Sequence, residues 1–236
     1  MGQAKFILVI VEGKTDADII NQYVNTSKLN NKRIKFKIVE GDILTSKPYN
    51  KKGENIIKTI LNNILKKDYL EKSDFVQIIQ LIDIDGIYFP KERIKMTDSF
   101  EKNEFPKYRY DRYNKMIHMS SKTFNKTKKV WELKKDRINE LINLKSIMNI
   151  EYHLYYNSFF LEHVLGGNVD ITDYEKSTFI DNFLNRDLTN EKFMTLLKEK
   201  LLSQDYKESW NKMKNSDFLD FDSSSNMYLM FNQFLQ

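Results

Sequence analysis

Six consecutive apolar residues, Phe6 to Val11, stop abruptly at Glu12 and Gly13. A β-branched run without polar alternation reads as a strand buried on both faces, as in a parallel sheet covered by helices. An ionised carboxylate at the end of such a strand is costly unless a cation or hydrogen-bond donors meet it, so Glu12 requires a partner from elsewhere in the chain. Gly13 lets the backbone turn sharply, and Ile19, Ile20, Tyr23 and Val24 then recur at helical spacing. Asp16 and Asp18 fall near the positive N-terminal end of that helix. The unit is strand, acidic turn, helix, and ligands of open α/β sheets gather at the carboxyl ends of strands, where Glu12 falls.

The pattern then repeats. After a turn at Asn30-Asn31-Lys32, Ile34 to Val39 make a second strand that ends at Glu40-Gly41-Asp42. Leu44 to Gly53 reads as a loop, and Ile56, Ile57, Ile60, Leu61, Ile64 and Leu65 mark an amphipathic crossover helix up to Lys66-Lys67. The third strand, Phe75 to Ile82, runs into Asp83-Ile84-Asp85-Gly86. In extended backbone residues i and i+2 share a side, which predicts that Asp83 and Asp85 face the same way. Two such carboxylates repel unless a cation lies beside them. Strands separated by helices imply parallel pairing with right-handed crossovers, so the strand ends share one edge and Glu12, Asp83 and Asp85 are expected to converge. Carboxylates without His or Cys suit a hard cation, Mg²⁺ (or Mn²⁺).

A chain of 236 residues with 41% hydrophobic content buries one core, or one core and a smaller lobe. No stretch is long and apolar enough to span a membrane, and the first apolar run is too short for a signal peptide, so a cytoplasmic location away from membranes is expected. The absence of cysteine excludes disulfides, thiolate metal sites and cysteine nucleophiles. There is no G-x-x-x-x-G-K-[ST] loop, so any ATP-driven sensing belongs to a separate partner. Charge is uneven: residues 91–150 carry 16 basic against 8 acidic side chains, and residues 151–236 carry 8 against 14. Residues 87–129 are the least regular stretch, interleaving Pro90, Pro106, Tyr108, Tyr110, Tyr113 and Phe124 with Arg93, Arg109, Arg112, Lys128 and other cations. Cations neutralise phosphates and aromatic faces stack on unpaired bases, which suits single-stranded nucleic acid or an RNA loop. The competing reading is a solvated loop with a few aromatics tucked onto the core; its place after the Asp-X-Asp favours substrate contact. A helix is expected from Val130 and a fourth strand over Ile150 to Tyr156, which ends at Asn157-Ser158. The helix beyond it carries Glu162 and His163, residues that more often cap or pair than catalyse. Asp173 to Gln236 is helical in pattern and acidic, a lobe suited to packing on the sheet and presenting a partner surface.

The pairing of "VIVEGKTD" with "IIQLIDIDG" resembles the Toprim domain of topoisomerases, bacterial primases, small RNA-processing nucleases and nucleases of the overcoming-lysogenization-defect type. The family's Glu after its first strand and Asp-X-Asp after its third match Glu12, Asp83 and Asp85. The resemblance covers about residues 5–90, and "VEGKTD", "EGDILTSK", "DIDGIYFP" and "YYNSFFLEHVL" are similar to Toprim proteins of bacterial antiphage systems (AbiL-type abortive infection, PARIS). It implies an α/β, Toprim-like (Rossmann-like) parallel sheet of about four strands flanked by helices, over residues 1–165 with a basic insert at about 87–145, and a C-terminal helical lobe at 166–236. It further implies a Mg²⁺-dependent nuclease, the toxic effector of an antiphage system, cleaving RNA such as tRNA, with DNA left open. Glu12, Asp83 and Asp85 would hold the metal and act in catalysis, with Lys14 on the phosphate. Arg93, Arg109, Arg112 and Lys128 would contact nucleic acid, and Asp16, Asp42, Glu162 and His163 are further candidates. A separately encoded ATPase is the expected protein partner, and a homodimer stays open. There is no room for the strand-passage domains of a topoisomerase. The alternative is a non-catalytic Toprim module that binds a nucleotide or a partner ATPase.

Overall fold

A computed structural model describes residues 5–26, 34–41, 43–47, 51–97, 109–111, 113–166, 168–169, 173–186, 188–215 and 222–235. The expected turn at Asn30-Asn31-Lys32 lies outside them, as do Asp42, Pro106, Tyr108 and Arg112. The chain divides into two compact units, each assembled from separate segments. The first takes Met1–Ile82, Leu133–Tyr156 and Met230–Gln236; the second takes Asp83–Glu132 and Asn157–Leu229.

The first unit is built on β1 (Lys5–Val11), α1 (Lys14–Thr26), β2 (Ile34–Glu40), α2 (Gly53–Asp68) and β3 (Phe75–Asp83). After a three-stranded insert of β4 (Ile94–Met96), β5 (Arg109–Asp111) and β6 (Met116–Met119) come α3 (Ser121–Ile142), β7 (Ser146–Ile147) and β8 (Ile150–Asn157). The main sheet has the order β2-β1-β3-β8-β7. β1 runs parallel to β2, from Lys5 opposite Ile34 to Val11 opposite Glu40, and parallel to β3, with Ile10 opposite Gln80. Ile7 to Val11 are all buried, as an uninterrupted apolar run in an inner strand requires. The edge strand β2 is only half-buried and carries Lys35 and Lys37, charges that discourage pairing with another chain. Lys37 is paired with Asp68 at the end of α2.

The sheet is mixed, not wholly parallel. β7 and β8 are antiparallel, joined by Met148 and Asn149, both at positive φ (54° and 68°) as tight hairpin loops demand. A two-residue strand such as β7 is too short to show a period, so the sequence pattern does not reveal it. The core side of α2 is Ile57, Leu61 and Ile64. Its first residue, Gly53, meets the Leu141 side chain so closely that an added Cβ would stand 2.9 Å from Leu141 Cδ1.

The second unit contains the sheet β4-β6-β5, parallel between β4 and β6 and antiparallel between β5 and β6. The stretch expected to be irregular is therefore partly ordered, and α3 begins at Ser121 instead of Val130. Strands of three or four residues carry no readable alternation, and the first turns of α3 (SKTFNKTKK) lack an apolar stripe. Ser120 starts the helix: its Oγ accepts from Thr123 N–H at 3.1 Å. Beyond β8 follow α4 (Leu161–Val164), α5 (Asp173–Leu184), α6 (Asn190–Glu199), α7 (Tyr206–Asn215) and α8 (Met227–Leu235), helical as expected. Ile180, Phe183, Phe193, Leu197, Trp210 and Met213 supply much of this unit's buried apolar surface. Among the described residues no helix is long and apolar enough to cross a membrane.

Candidate carboxylate site

β1 and β3 are parallel neighbours, so their carboxyl ends lie on one edge of the sheet. Glu12 follows β1 and belongs to the first unit. The partner it requires is Lys134 of α3, whose Nζ stands 3.3 Å from Glu12 Oε1 and 3.5 Å from Oε2. The lysine side chain is 1% exposed and the glutamate 18%. Sequence reasoning missed Lys134, although its phase with Ile138 and Leu141 on the buried side of α3 was the available signal. Arg137 lies on the same buried side and was missed too. Its guanidinium donates to the carbonyls of Ile43 (2.8 Å), Leu44 (3.1 Å), Ser46 (3.0 Å) and Lys51 (3.0 Å), folding the loop after β2 around one planar cation. Asp16 is buried, and its Oδ2 accepts from Gly13 N–H at 3.0 Å, closing the turn into α1. Lys14, the first residue of α1, is exposed.

Asp83, the last residue of β3, and Asp85 belong to the second unit. The expectation that both lie on extended backbone is corrected: the strand stops at Asp83, and Asp85 has φ 51° in a left-handed turn completed by Gly86 at φ 68°. Ile87 N–H closes the turn on Ile84 O at 3.1 Å, and the end of β8, with the residues after it, braces the turn. Ile84 N–H donates to Asn157 O at 2.9 Å and Asp85 N–H to Phe159 O at 3.2 Å, while Ile84 itself is fully buried. Asn157 Nδ2 also donates to Asp83 Oδ1 at 3.2 Å. A left-handed aspartate costs about 1 kcal/mol and persists only where its surroundings over-determine it, a habit of functional turns. Gly86 has a second reason to lack a side chain, since a Cβ would meet Phe159 Cε1 at 3.4 Å. Burial pushes the Tyr88 hydroxyl up to about 12, so it is a neutral phenol and not a ready nucleophile at neutral pH.

Glu162 and His163 are buried on α4, with the imidazole edge-on to Phe159 at 5.3 Å between ring centroids. Arg93 is half-buried in the short turn before β4, and Arg109 is exposed on β5. Lys128 is exposed on α3, 4.0 Å from Glu132. Arg112 and Asp42 lie outside the described residues. The turn between β5 and β6 holds Tyr113 out at 93% exposure, and Asp111 braces it by accepting from Asn114 N–H at 2.9 Å and Asn114 Nδ2 at 2.8 Å.

Among the described residues no three His, Asp or Glu side chains stand together as a metal-holding group. Mg²⁺ does not require three: it is commonly held by one or two carboxylates, with water and substrate phosphate completing the shell. The all-oxygen donors of Asp83 and Asp85, in one turn, fit that chemistry. Compared with known proteins, the chain matches no family model, no curated protein and no solved structure.

Proposed function

We propose that this protein is a metal-dependent nuclease of Toprim type that acts as the toxic effector of a bacterial antiphage system, with RNA such as tRNA ahead of DNA as substrate. The observation that carries the reading is the Asp83-Ile84-Asp85 turn, a strained carboxylate turn at the end of an inner strand, braced by two hydrogen bonds with Asn157 at the end of β8 and one to Phe159 just beyond it. Asp83 and Asp85 would hold Mg²⁺ (or Mn²⁺), which would supply Lewis-acid polarisation of a phosphodiester. Glu12 is assigned the acid–base part, and Lys134 orients its carboxylate. Lys14 is an exposed cation for a phosphate. Arg109, Lys128 and the outward ring of Tyr113 suit phosphate contact and base stacking. The effector role and the separate ATPase rest on the resemblance of the motifs.

The Glu12–Lys134 pair supports a second reading, a module without catalysis, because a carboxylate neutralised by a buried lysine also serves purely structural ends. Purified protein incubated with mixed RNA and DNA, with and without Mg²⁺ or Mn²⁺, separates the two. The nuclease cuts only with metal and loses cutting in Asp85→Asn, whose expression in cells is also no longer toxic. Intact nucleic acid in every arm, together with equal toxicity of wild type and Asp85→Asn, would establish the module.

A further inference from the structure

The second unit places a chain of buried polar side chains behind Asp83. Ser225 Oγ accepts from Met227 N–H at 3.0 Å and donates to Asn157 Oδ1 at 3.0 Å, and Asn157 Nδ2 donates to Asp83 Oδ1 at 3.2 Å. The direction of this chain is fixed by chemistry. An ionised carboxylate only accepts, so the amide nitrogen must face Asp83; the amide oxygen then faces Ser225, whose hydroxyl proton turns to it while the hydroxyl oxygen accepts from Met227 N–H. The backbone locks the same arrangement. Asn157 and Ser225 form an antiparallel bridge, Ser158 N–H donates to Ser224 O at 2.8 Å, Ser224 N–H donates to Ser158 Oγ at 2.9 Å, and Ser225 N–H donates to Lys200 O at 2.9 Å. Asn157, Ser158 and Ser225 are at most 1% exposed, whereas Asp83 is only half-buried. Burying two polar side chains is unfavourable unless their bonds are all made, and apolar residues fill space at less risk.

We propose that Asn157 and Ser225 are positioning residues that aim the Asp83 carboxylate at its cation, with the segment 223–226 anchoring the chain from the far end of the sequence. This rests on the reading of Asp83 as a metal-holding carboxylate. Residues standing behind a metal ligand typically change metal affinity or activity by about 10- to 100-fold when removed. Loss of the serine hydroxyl removes the donor that holds the amide oxygen, so the amide is no longer fixed from behind and its N–H no longer fixes the carboxylate.

The test is Mn²⁺ binding by calorimetry, with kcat and KM for RNA cleavage, on wild type, Ser225→Ala and Ser225→Thr. Ser225→Ala is expected to bind Mn²⁺ at least 10-fold more weakly and to lose kcat with KM for RNA unchanged, while Ser225→Thr, which keeps the hydroxyl, retains wild-type values. Equal loss in both variants, or loss in neither, overturns the proposal. Wild-type protein needs no variant to fold: its Asn157 side-chain NH₂ resonances are expected to shift on addition of Mg²⁺, and unmoved resonances at a saturating Mg²⁺ concentration overturn it as well. A wild type that neither binds Mn²⁺ nor cuts would sink the nuclease reading itself, whereas a wild type that does both beside an unaffected Ser225→Ala would sink the positioning role alone.

Discussion

The ammonium of Lys134, on a side chain almost wholly buried, faces Glu12 at 3.3 Å from its Oε1. The sequence alone suggests that Glu12→Gln spares the fold, because glutamine keeps the side chain's shape and hydrogen-bonding capacity and removes only the charge. The buried lysine changes that expectation: neutralising one member of a buried pair leaves the other charge uncompensated, a loss of about 3 kcal/mol or more, reduced here by the glutamate's partial exposure. Glu12→Gln should therefore lose about 2 kcal/mol in urea unfolding. The double variant Glu12→Gln, Lys134→Met should recover most of it, and additive losses would show that the pair is not coupled.

Asp85 invites a backbone test. Its left-handed φ of 51° suits glycine and disfavours alanine. Asp85→Gly should melt at or above the wild-type temperature, and Asp85→Ala should be less stable than Asp85→Gly by about 1 kcal/mol. Both should lose cutting. Equal stability of the two would mean that the turn relaxes when the carboxylate goes.

Arg137 donates to four carbonyls of one loop. Arg137→Lys keeps the charge but loses the planar fork, and hydrogen bonds to charged groups contribute about 1.5–3 kcal/mol each when net effects are counted. A loss of about 3 kcal/mol is expected, with faster amide exchange over residues 43–47. Exchange that stays as slow as in wild type would remove the cation's role in shaping this loop.

The turn carrying Tyr113 should open in acid. The Asn114 side chain first, then its backbone N–H, with His118 adding less, holds the Asp111 carboxyl below the ordinary aspartate range. A group with a lowered folded pKa stabilises above its unfolded pKa, and that contribution is lost as pH falls through the folded value. A ¹³C titration of the Asp111 carboxyl should have a midpoint below that of Asn114→Ala. Coincident midpoints would mean that the turn is not braced.

Arg109 and Lys128 are the exposed cations for which a polyanion is proposed. Replacing both by Ala should lower the slope of log affinity against log salt by about 1.4 for a single strand, since each phosphate contact contributes about 0.7. An unchanged slope would return these residues to an ordinary solvated surface.

What the sequence by itself determined is what depends on neighbours along the chain. The unbroken run from Phe6 to Val11 specified an inner strand, helical spacing specified α1 and α2, and the acidic groups Glu12, Glu40 and Asp83 fell where the three strands end. Only the tertiary structure decided which groups answer those carboxylates. Lys134 lies 122 residues from Glu12 and Asn157 lies 74 from Asp83, so no local pattern couples them. The left-handed turn at Asp85 was legible in part, since Asp-Gly is a pair that favours positive φ and Ile87 N–H closes the turn on Ile84 O, but its anchors, the carbonyls of Asn157 and Phe159, lie more than seventy residues away. The insert strands and β7 escaped for a different reason: at two to four residues they are stabilised by pairing with strands elsewhere, and a period of two cannot be read from so few positions.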